Sequence, residues 1–264
     1  MVIAIAVCMI SAFFLDVHTG IKREDKIYGA SFALIGGIFG AKLLSVLLSV
    51  KTIIEYNLSF ENVIKNGFVF YGGLIGGAIG IIIYCVSFKI SILRFFDTAA
   101  VILPLGSAIG RIGCLAAGCC YGRPTDSFLG VTYREPIDPT TPIGIPLLLS
   151  QLFETAYCSV LFIVLLILSR KKRRKGLLTC IYAGGYAAAR FINEFFRYDA
   201  GRDFFLGLST SQIISVLIIL TIEVFFYSQK IITAYYRPVL SYFYFSFRLH
   251  SFRLHQPKEK RRKK

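Results

Sequence analysis

Long apolar runs, separated by short polar segments, dominate the chain. Several runs exceed the roughly 18 residues that mark a membrane-spanning helix. We predict seven spans, at about 2–15, 27–50, 67–88, 92–112, 147–169, 176–196 and 208–228. Because no basic segment precedes the short first span and no small-residue cleavage site is clear, we interpret it as a helix clipped at its N-terminus, not as a signal peptide. The pattern predicts an all-α, polytopic membrane protein.

Basic residues alternate from loop to loop. The loops at 51–66, 113–146 and 197–207 are nearly charge-balanced, whereas the loops after spans one, three and five are positive. The basic residues concerned are Lys22, Arg23, Lys26, Lys89, Arg94 and the run RKKRRK at 170–175. Because short positive loops stay on the cytoplasmic side, we predict the N-terminus outside and the C-terminus inside.

The overall charge fits the same interpretation. The chain has 30 Lys and Arg against 15 Asp and Glu, with a mean hydropathy of +0.65. The placement of the basic residues indicates membrane topology and contact with anionic inner-leaflet lipid, so nucleic-acid binding is not predicted. The segment 229–264 repeats SFRLH and ends in KEKRRKK, which is typical of an interfacial anchor. We therefore divide the chain into a transmembrane domain, 1–228, and a basic, aromatic cytoplasmic tail, 229–264.

A glycine stripe marks the third span. Gly72, Gly76 and Gly80 recur every four residues, and Gly73 and Gly77 do the same. Small residues at this spacing allow two helices to approach closely, so helix packing is their expected role. The opening residues of the span, Tyr71-Gly72-Gly73, can in addition expose backbone N–H groups to an anion.

Polar side chains converge at one predicted membrane depth. The outer halves of spans three to six contain Tyr71, Arg111, Gln151, Glu154, Arg190 and Glu194. An arginine at membrane depth costs roughly 2.5–3.5 kcal/mol on insertion scales, so it marks a functional site by default. Two guanidinium groups with few acidic neighbours suit a phosphate, which they bind through bidentate hydrogen bonds. In the alternative, Arg190 and Glu194 form an internal ion pair and Arg111 snorkels to the interface.

The segment GRIGCLAAGCCYG, at 110–122, resembles the signature of the prolipoprotein diacylglyceryl transferase family, G-R-x-G-N-F-x-N-G-E-x-x-G. The matching positions are Gly110, Arg111, Gly113, Gly118 and Gly122. The chain is also similar at Tyr71-Gly72-Gly73-Leu74 (H-G-G-L in the family), at SQLFE, 150–154 (S-Q-L-Y-E), and at Arg190-Phe191 with Glu194 (R-F-x-x-E). Asp97 stands at a usual aspartate of the fourth span. The resemblance extends from about residue 20 to residue 228.

The resemblance implies an enzyme of lipoprotein maturation in the bacterial cytoplasmic membrane. Such enzymes move the diacylglyceryl group of phosphatidylglycerol onto the lipobox cysteine thiol of a prolipoprotein signal peptide and release glycerol phosphate, without a metal or cofactor. By resemblance, Arg111 and Arg190 hold the phosphate, and Glu194 orients Arg190 or assists proton transfer. The implied substrate-binding residues are Gly72, Gly73, Gly113, Gly118, Gly122, Gln151 and Glu154.

The chain departs from the family pattern at several central positions. Tyr71 replaces the family's histidine, a candidate base, and Cys114, Ala117 and Cys119 replace two asparagines and a glutamate. A neutral phenol is a poorer base than imidazole, although its hydroxyl can donate a hydrogen bond or pass a proton. The alternative function is therefore a catalytically weakened lipid-binding or lipid-translocating protein on the same scaffold.

The cysteines of the signature segment allow two further interpretations. Cys114, Cys119 and Cys120 could bind a soft metal, or two of them could form a regulatory disulfide. A zinc site needs four ligands, and the three histidines of the chain are predicted on the inner side. We expect instead that these cysteines pack as small apolar side chains. The chain has seven cysteines, an odd number, so no disulfide framework is predicted.

Overall fold

The computed structural model describes residues 2–15, 17–55, 69–198, 204–205 and 207–228. The helices are α1 (Val2–Phe14), α2 (Arg23–Glu55), α3 (Phe70–Ser87), α4 (Ile92–Ala117), α5 (Ser150–Ser169), α6 (Leu177–Asn193) and α7 (Thr210–Ser228). The strands are β1 (Gly130–Thr132), β2 (Pro146–Leu148), β3 (Phe204–Phe205) and β4 (Leu208–Ser209). The chain divides into two compact units, 1–216 and 217–264. The predicted tail, 229–264, lies outside the described residues.

Four of the described helices are long and apolar enough to cross a membrane. They are α2 (over Arg23–Val50), α4, α5 and α7. Helix α1 and the part of α3 from Tyr71 to Ser87 are shorter but also apolar. Large apolar side chains on these helices are exposed, as Phe39 (71%) and Val160 (61%) show. Exposed apolar faces on long helices are stable in lipid, so the chain is a multi-pass membrane protein. The count of seven spans stays a prediction.

Two helices extend beyond their predicted bounds for local reasons. α2 begins at Arg23 instead of residue 27, and Glu24 and Asp25 in its first turn favour a helix N-terminus. α4 continues past the predicted end at residue 112 to Ala117, where Gly118 closes the helix with a left-handed φ of 82°. Cys114 therefore lies on a helix and not in a loop.

Glycines allow α2 and α3 to touch through their backbones. A Cβ added to Gly76 would overlap the carbonyl oxygen of Gly36 and lie 2.9 Å from the Cα of Gly40. A Cβ added to Gly72 would overlap the carbonyl of Gly40 in the same way. The stripe predicted from the sequence is therefore a helix-packing surface, and it fixes α3 along α2.

Gly76→Ala is expected to destabilise the protein by about 1–3 kcal/mol, because the added methyl group overpacks a contact between two backbones. Gly73→Ala is the matched control on the same helix, since a Cβ there meets Ala41 and Gly37 only at 3.5 Å. We expect the control to be neutral or to gain up to about 1 kcal/mol from helix propensity. Thermal unfolding in detergent micelles measures both; equal effects would contradict the packing role of Gly76.

Asp97 fixes the beginning of α6 from a neighbouring helix. The side chain is buried on α4. Its Oδ2 accepts a hydrogen bond from the backbone N–H of Gly176 at 2.7 Å, and its Oδ1 accepts bonds from the N–H and the hydroxyl of Thr179, both at 2.9 Å. A carboxylate at a helix N-terminus pairs orphan N–H groups and interacts well with the helix dipole. Asp97 thus orients α6, which supplies part of the site below.

The connection between α4 and α5 is ordered. β1 pairs antiparallel with β2, from Gly130 opposite Leu148 to Thr132 opposite Pro146. The hydroxyl of Thr141 donates a hydrogen bond to the carbonyl of Gly118 at 3.2 Å. The connection therefore contains a short antiparallel pair of strands, which leaves no helical or long alternating pattern in the sequence. We call residues 118–149 the connecting segment.

Candidate functional site

The ends of three helices bring the predicted polar side chains together. Arg111 lies in the last two turns of α4, Glu154 lies near the start of α5, and Arg190 lies in the last turn of α6. α4 and α6 end, and α5 begins, at the same end of the helix bundle, next to the connecting segment. The sequence prediction of a polar cluster built by successive helices is confirmed for these three residues.

Glu154 is the centre of the cluster. It is 1% exposed. Its Oε1 lies 2.9 Å from Nε of Arg111, and its Oε2 lies 3.4 Å from Nη1 of Arg190. Both carboxylate oxygens therefore engage a guanidinium group, and one buried anion sets the separation of the two arginines. A carboxylate engaged on both sides acts as a positioning group for the cations.

Arg190 has a second anionic partner. Its Nη2 lies 2.9 Å from Oε2 of Glu194, one helical turn later, and donates a hydrogen bond to the hydroxyl of Ser211 at 3.2 Å. The internal ion pair between Arg190 and Glu194, given above as the alternative for these residues, is present. Arg111 does not simply snorkel to the interface, since it pairs with Glu154. The two arginines pair with two glutamates, so the cluster is formally neutral.

Two members of the cluster were missed in the sequence. The hydroxyl of Tyr186 donates to Oε1 of Glu154 at 3.1 Å, and the Nδ2 of Asn193 donates to its Oε2 at 3.5 Å. Tyr186 precedes Arg190 by four residues and Asn193 follows it by three, so all three residues share one face of α6. Their spacing, four residues before and three residues after Arg190, was the sequence signal for both residues.

Arg111 is the more accessible of the two cations. Its side chain is 22% exposed, against 13% for Arg190 and 2% for Glu154. The guanidinium meets Glu154 through Nε, and its Nη1 contacts the sulfur of Cys114 at a long 4.0 Å. Because the contact with the carboxylate uses the Nε side, the terminal nitrogens can still bind an incoming anion.

Tyr71, Gly72 and Gly73 lie on a different pair of helices. They form the first turns of α3, which packs along α2, and Tyr71 is 37% exposed. Gly72 meets the backbone of Gly40, so packing explains it without a ligand. Contact of these residues with substrate stays a prediction.

Three of the four signature glycines differ in what surrounds them. A Cβ on Gly113 would meet nothing within 4 Å, so the surface of α4 is open at this position. Gly118 needs its left-handed backbone to end α4. Gly122 is enclosed, since an added Cβ would lie 2.7 Å from the carbonyl oxygen of Leu148 and 2.8 Å from that of Phe196. The latter two glycines therefore have structural roles, and Gly113 borders open space.

Gln151 connects α5 to the cysteine segment. Its Nε2 donates a hydrogen bond to the carbonyl of Cys119 at 2.7 Å. Its Oε1 and the Oδ1 of Asn193 are buried without a hydrogen-bond partner among the described residues. An unpaired buried acceptor costs roughly 1–3 kcal/mol. Two buried acceptors of the site are therefore unpaired among the described residues.

The cysteine cluster, Cys114, Cys119 and Cys120, lies beside Arg111. The three sulfurs are within 4.8 Å of one another, and each residue is half-buried. Burial, together with the nearby Cys120, raises the pKa of the Cys119 thiol above its ordinary value. The thiol of Cys119 is thus protonated at neutral pH. Among the described residues, these are the side chains that could hold a metal ion.

Comparison with known proteins assigns a family to this arrangement. The family model described as prolipoprotein diacylglyceryl transferase matches residues 1–228. A phosphatidylglycerol–prolipoprotein diacylglyceryl transferase 2 of Clostridium perfringens is 37% identical over 216 residues, which cover 80% of this chain and 83% of that protein. A protein with the corresponding transferase name from Clostridium tetani is 38% identical (75% and 78% covered), and one from Dehalococcoides mccartyi is 32% identical (85% and 85% covered).

Proposed function

The chain belongs to the prolipoprotein diacylglyceryl transferase family, and from this premise we propose how its site acts. The enzyme transfers a diacylglyceryl group from phosphatidylglycerol to a prolipoprotein during lipoprotein maturation. We infer that the acceptor is the lipobox cysteine of the signal peptide. The observation that supports the site is the pair Arg111 and Arg190, held by one buried carboxylate, Glu154, at a common helix end.

The reaction needs a nucleophile, a base and a stabilised leaving group. The thiolate of the acceptor cysteine attacks the glycerol carbon that carries the phosphate, so a C–S bond forms and a C–O bond breaks. The bonding pair stays on the phosphate oxygen, which leaves as glycerol phosphate. The thiol proton passes to a base. Negative charge grows on the leaving phosphate, so cations that already point toward it lower the barrier.

Arg111 and Arg190 supply those cations. Their charges are balanced by Glu154 and Glu194 before substrate arrives, which lowers the cost of placing two half-buried arginines in a membrane protein. Arg111, as the more exposed of the two, is proposed to bind the phosphate first through its terminal nitrogens. Glu154 is a positioning residue, and Glu194 orients Arg190.

Tyr71 is proposed to assist proton transfer near the entrance of the site. Its hydroxyl can donate a hydrogen bond to the phosphate or pass the thiol proton to water. Gly113 is proposed to lie against the lipid, because the space beside it is open. Gly72, Gly73, Gly118 and Gly122 then shape the walls of the site through helix packing and turns.

The head group of phosphatidylglycerol matches the unpaired acceptors of the site. A phosphate offers acceptors alone, whereas a glycerol head group also carries hydroxyl donors. We propose that the amide oxygens of Gln151 and Asn193, which are buried without partners among the described residues, accept these hydroxyls. A ligand that satisfies buried acceptors is favoured over one that leaves them unpaired.

The topology proposed for this reaction is seven transmembrane helices with the N-terminus outside and the C-terminus inside. The site then opens at the outer leaflet of the bacterial cytoplasmic membrane, where secreted precursors emerge. The basic segment 170–175 and the tail 229–264 face the anionic inner leaflet. This arrangement is supported by the charge pattern and by family membership.

Complementation tests the proposed function in cells. A bacterium depleted of its own transferase should regain lipidation of a reporter lipoprotein when this chain is expressed, because the arginine cluster of the site is intact. A reporter whose lipobox cysteine is replaced by serine is the control and should stay unlipidated. Absence of lipidation by a well-expressed, membrane-inserted protein would contradict the proposal and favour the lipid-binding alternative.

A further inference from the structure

We propose that Cys114, Cys119 and Cys120 bind one soft, thiophilic metal ion through their three sulfurs, and that Cu(I) is the ion of best fit. This goes beyond the transferase reaction, which uses none of these thiols. It also replaces the expectation that the three cysteines serve for packing. Cys85 and Cys158, which do pack, are 0% exposed, whereas the members of the cysteine cluster are half-buried and reachable.

The end of α4 builds the cluster from local structure. Cys114 lies in the last turn of the helix, and the left-handed Gly118 reverses the chain. As a consequence, the thiol of Cys119 donates a hydrogen bond to the carbonyl oxygen of Cys114 at 3.8 Å. Cys120 has a positive φ of 59°, which is uncommon for a residue with a side chain and persists where the surroundings impose it. Three sulfurs from one short segment therefore face one point.

The distances match a shared ion. Sulfurs bonded to a metal at about 2.3 Å, the usual Zn–S length, are about 4.0 Å apart when three of them surround it in a plane. The sulfurs here already lie within 4.8 Å of one another. To reach this spacing, side-chain rotation has to move each sulfur by less than about 1 Å. The hydrogen bond from Gln151 to the carbonyl of Cys119 holds the backbone in place.

The ligand set selects the kind of metal. Thiolates favour soft ions such as Cu(I) and Zn²⁺. A structural zinc site takes four protein ligands, and the cluster among the described residues offers three, all of them sulfur. Three thiolates satisfy Cu(I). Each thiol loses its proton to solvent on binding, so the complex carries a net charge of minus two and its formation is favoured by raising the pH.

The metal would also affect transfer, a consequence that rests on the proposed function. The sulfur of Cys114 lies 4.0 Å from Nη1 of Arg111. A negatively charged copper–thiolate group at that position competes with the phosphate for the guanidinium. Copper bound at the cluster is therefore expected to inhibit transfer, and metal binding itself is measured separately from activity.

Anaerobic titration tests the site. The purified, reduced full chain in detergent is titrated with Cu(I) against a coloured Cu(I) chelator, and X-ray absorption reports the bound ligands. We expect one copper per chain, surrounded by three sulfurs. Each of the variants Cys114→Ser, Cys119→Ser and Cys120→Ser should lose affinity by more than the roughly 10–100-fold that removal of a supporting residue costs. Cys180→Ala, which changes a half-buried cysteine on α6, is the control and should bind as the native chain does.

Three results would overturn the proposal. The first is no copper retained by a folded, monodisperse native chain. The second is binding that the three serine variants keep unchanged. The third is loss of two thiols to a disulfide on mild oxidation in place of copper binding. Gel filtration of every variant confirms folding, and if a serine variant aggregates, alanine replaces serine at that position. If copper binds but the chain transfers no lipid, the proposed function fails and the metal site stands.

Discussion

Arg111→Lys is expected to lower the rate of diacylglyceryl transfer by about 100-fold or more. The Nε of Arg111 lies 2.9 Å from Glu154, and its terminal nitrogens are proposed to hold the phosphate. Lysine keeps the charge but has one side-chain nitrogen. It therefore cannot pair with the carboxylate and at the same time make a bidentate contact with the phosphate. Removal of one donor that stabilises developing negative charge typically costs 10²–10³ in rate. The loss should appear in kcat because the charge grows in the transition state.

Release of glycerol phosphate by the purified protein in micelles containing phosphatidylglycerol and a prolipoprotein signal peptide measures this loss. Arg134→Lys is the matched control, since Arg134 is an exposed arginine of the connecting segment. It should transfer at the native rate. An Arg111→Lys enzyme with more than about half of native activity would show that the arginine does not bind the reacting phosphate.

Glu154→Gln is expected to destabilise the protein by about 3 kcal/mol or more and to abolish most transfer. The carboxylate is 1% exposed and joins Arg111 to Arg190. A glutamine of the same shape leaves the guanidinium of Arg111 without its anion inside the protein. Breaking a buried ion pair by removing one partner costs about 3–5 kcal/mol, because an uncompensated charge stays buried.

Glu194→Gln provides the comparison on the same cluster. Glu194 is also buried, but Arg190 keeps Glu154 when this residue is changed. We therefore expect a loss of stability smaller than that of Glu154→Gln. Thermal unfolding in identical micelles ranks the two variants. A Glu194→Gln protein that is the less stable of the two would mean that Glu154 is not the centre of the cluster.

Much of the fold follows from sequence patterns that act locally. The apolar runs predict the helices because a membrane leaves the backbone few other structures. The end of α4 could not be placed the same way. The prediction stopped it at residue 112, where small residues interrupt the apolar run, but the helix continues until Gly118 provides the left-handed cap.

The members of the site were predictable in part. Arg111 and Arg190 stand out because charges in apolar helices are rare. The partner of Arg111 was not predictable from spacing, because Glu154 lies on another helix and its contact depends on how α4 packs against α5. The same limit applies to the cysteine cluster, where a turn brings three thiols together. Helical spacing from Arg190 was enough to find Tyr186 and Asn193, and that signal was overlooked.

The most direct measurement is transfer by the purified native chain. Phosphatidylglycerol with a labelled diacylglyceryl group and a signal peptide with one lipobox cysteine are incubated with the enzyme, and the peptide is analysed by mass spectrometry. We predict a mass increase of one diacylglyceryl group on the cysteine sulfur, with one glycerol phosphate released for each peptide modified. A folded native chain that binds phosphatidylglycerol but leaves the peptide cysteine unmodified would contradict the proposed function.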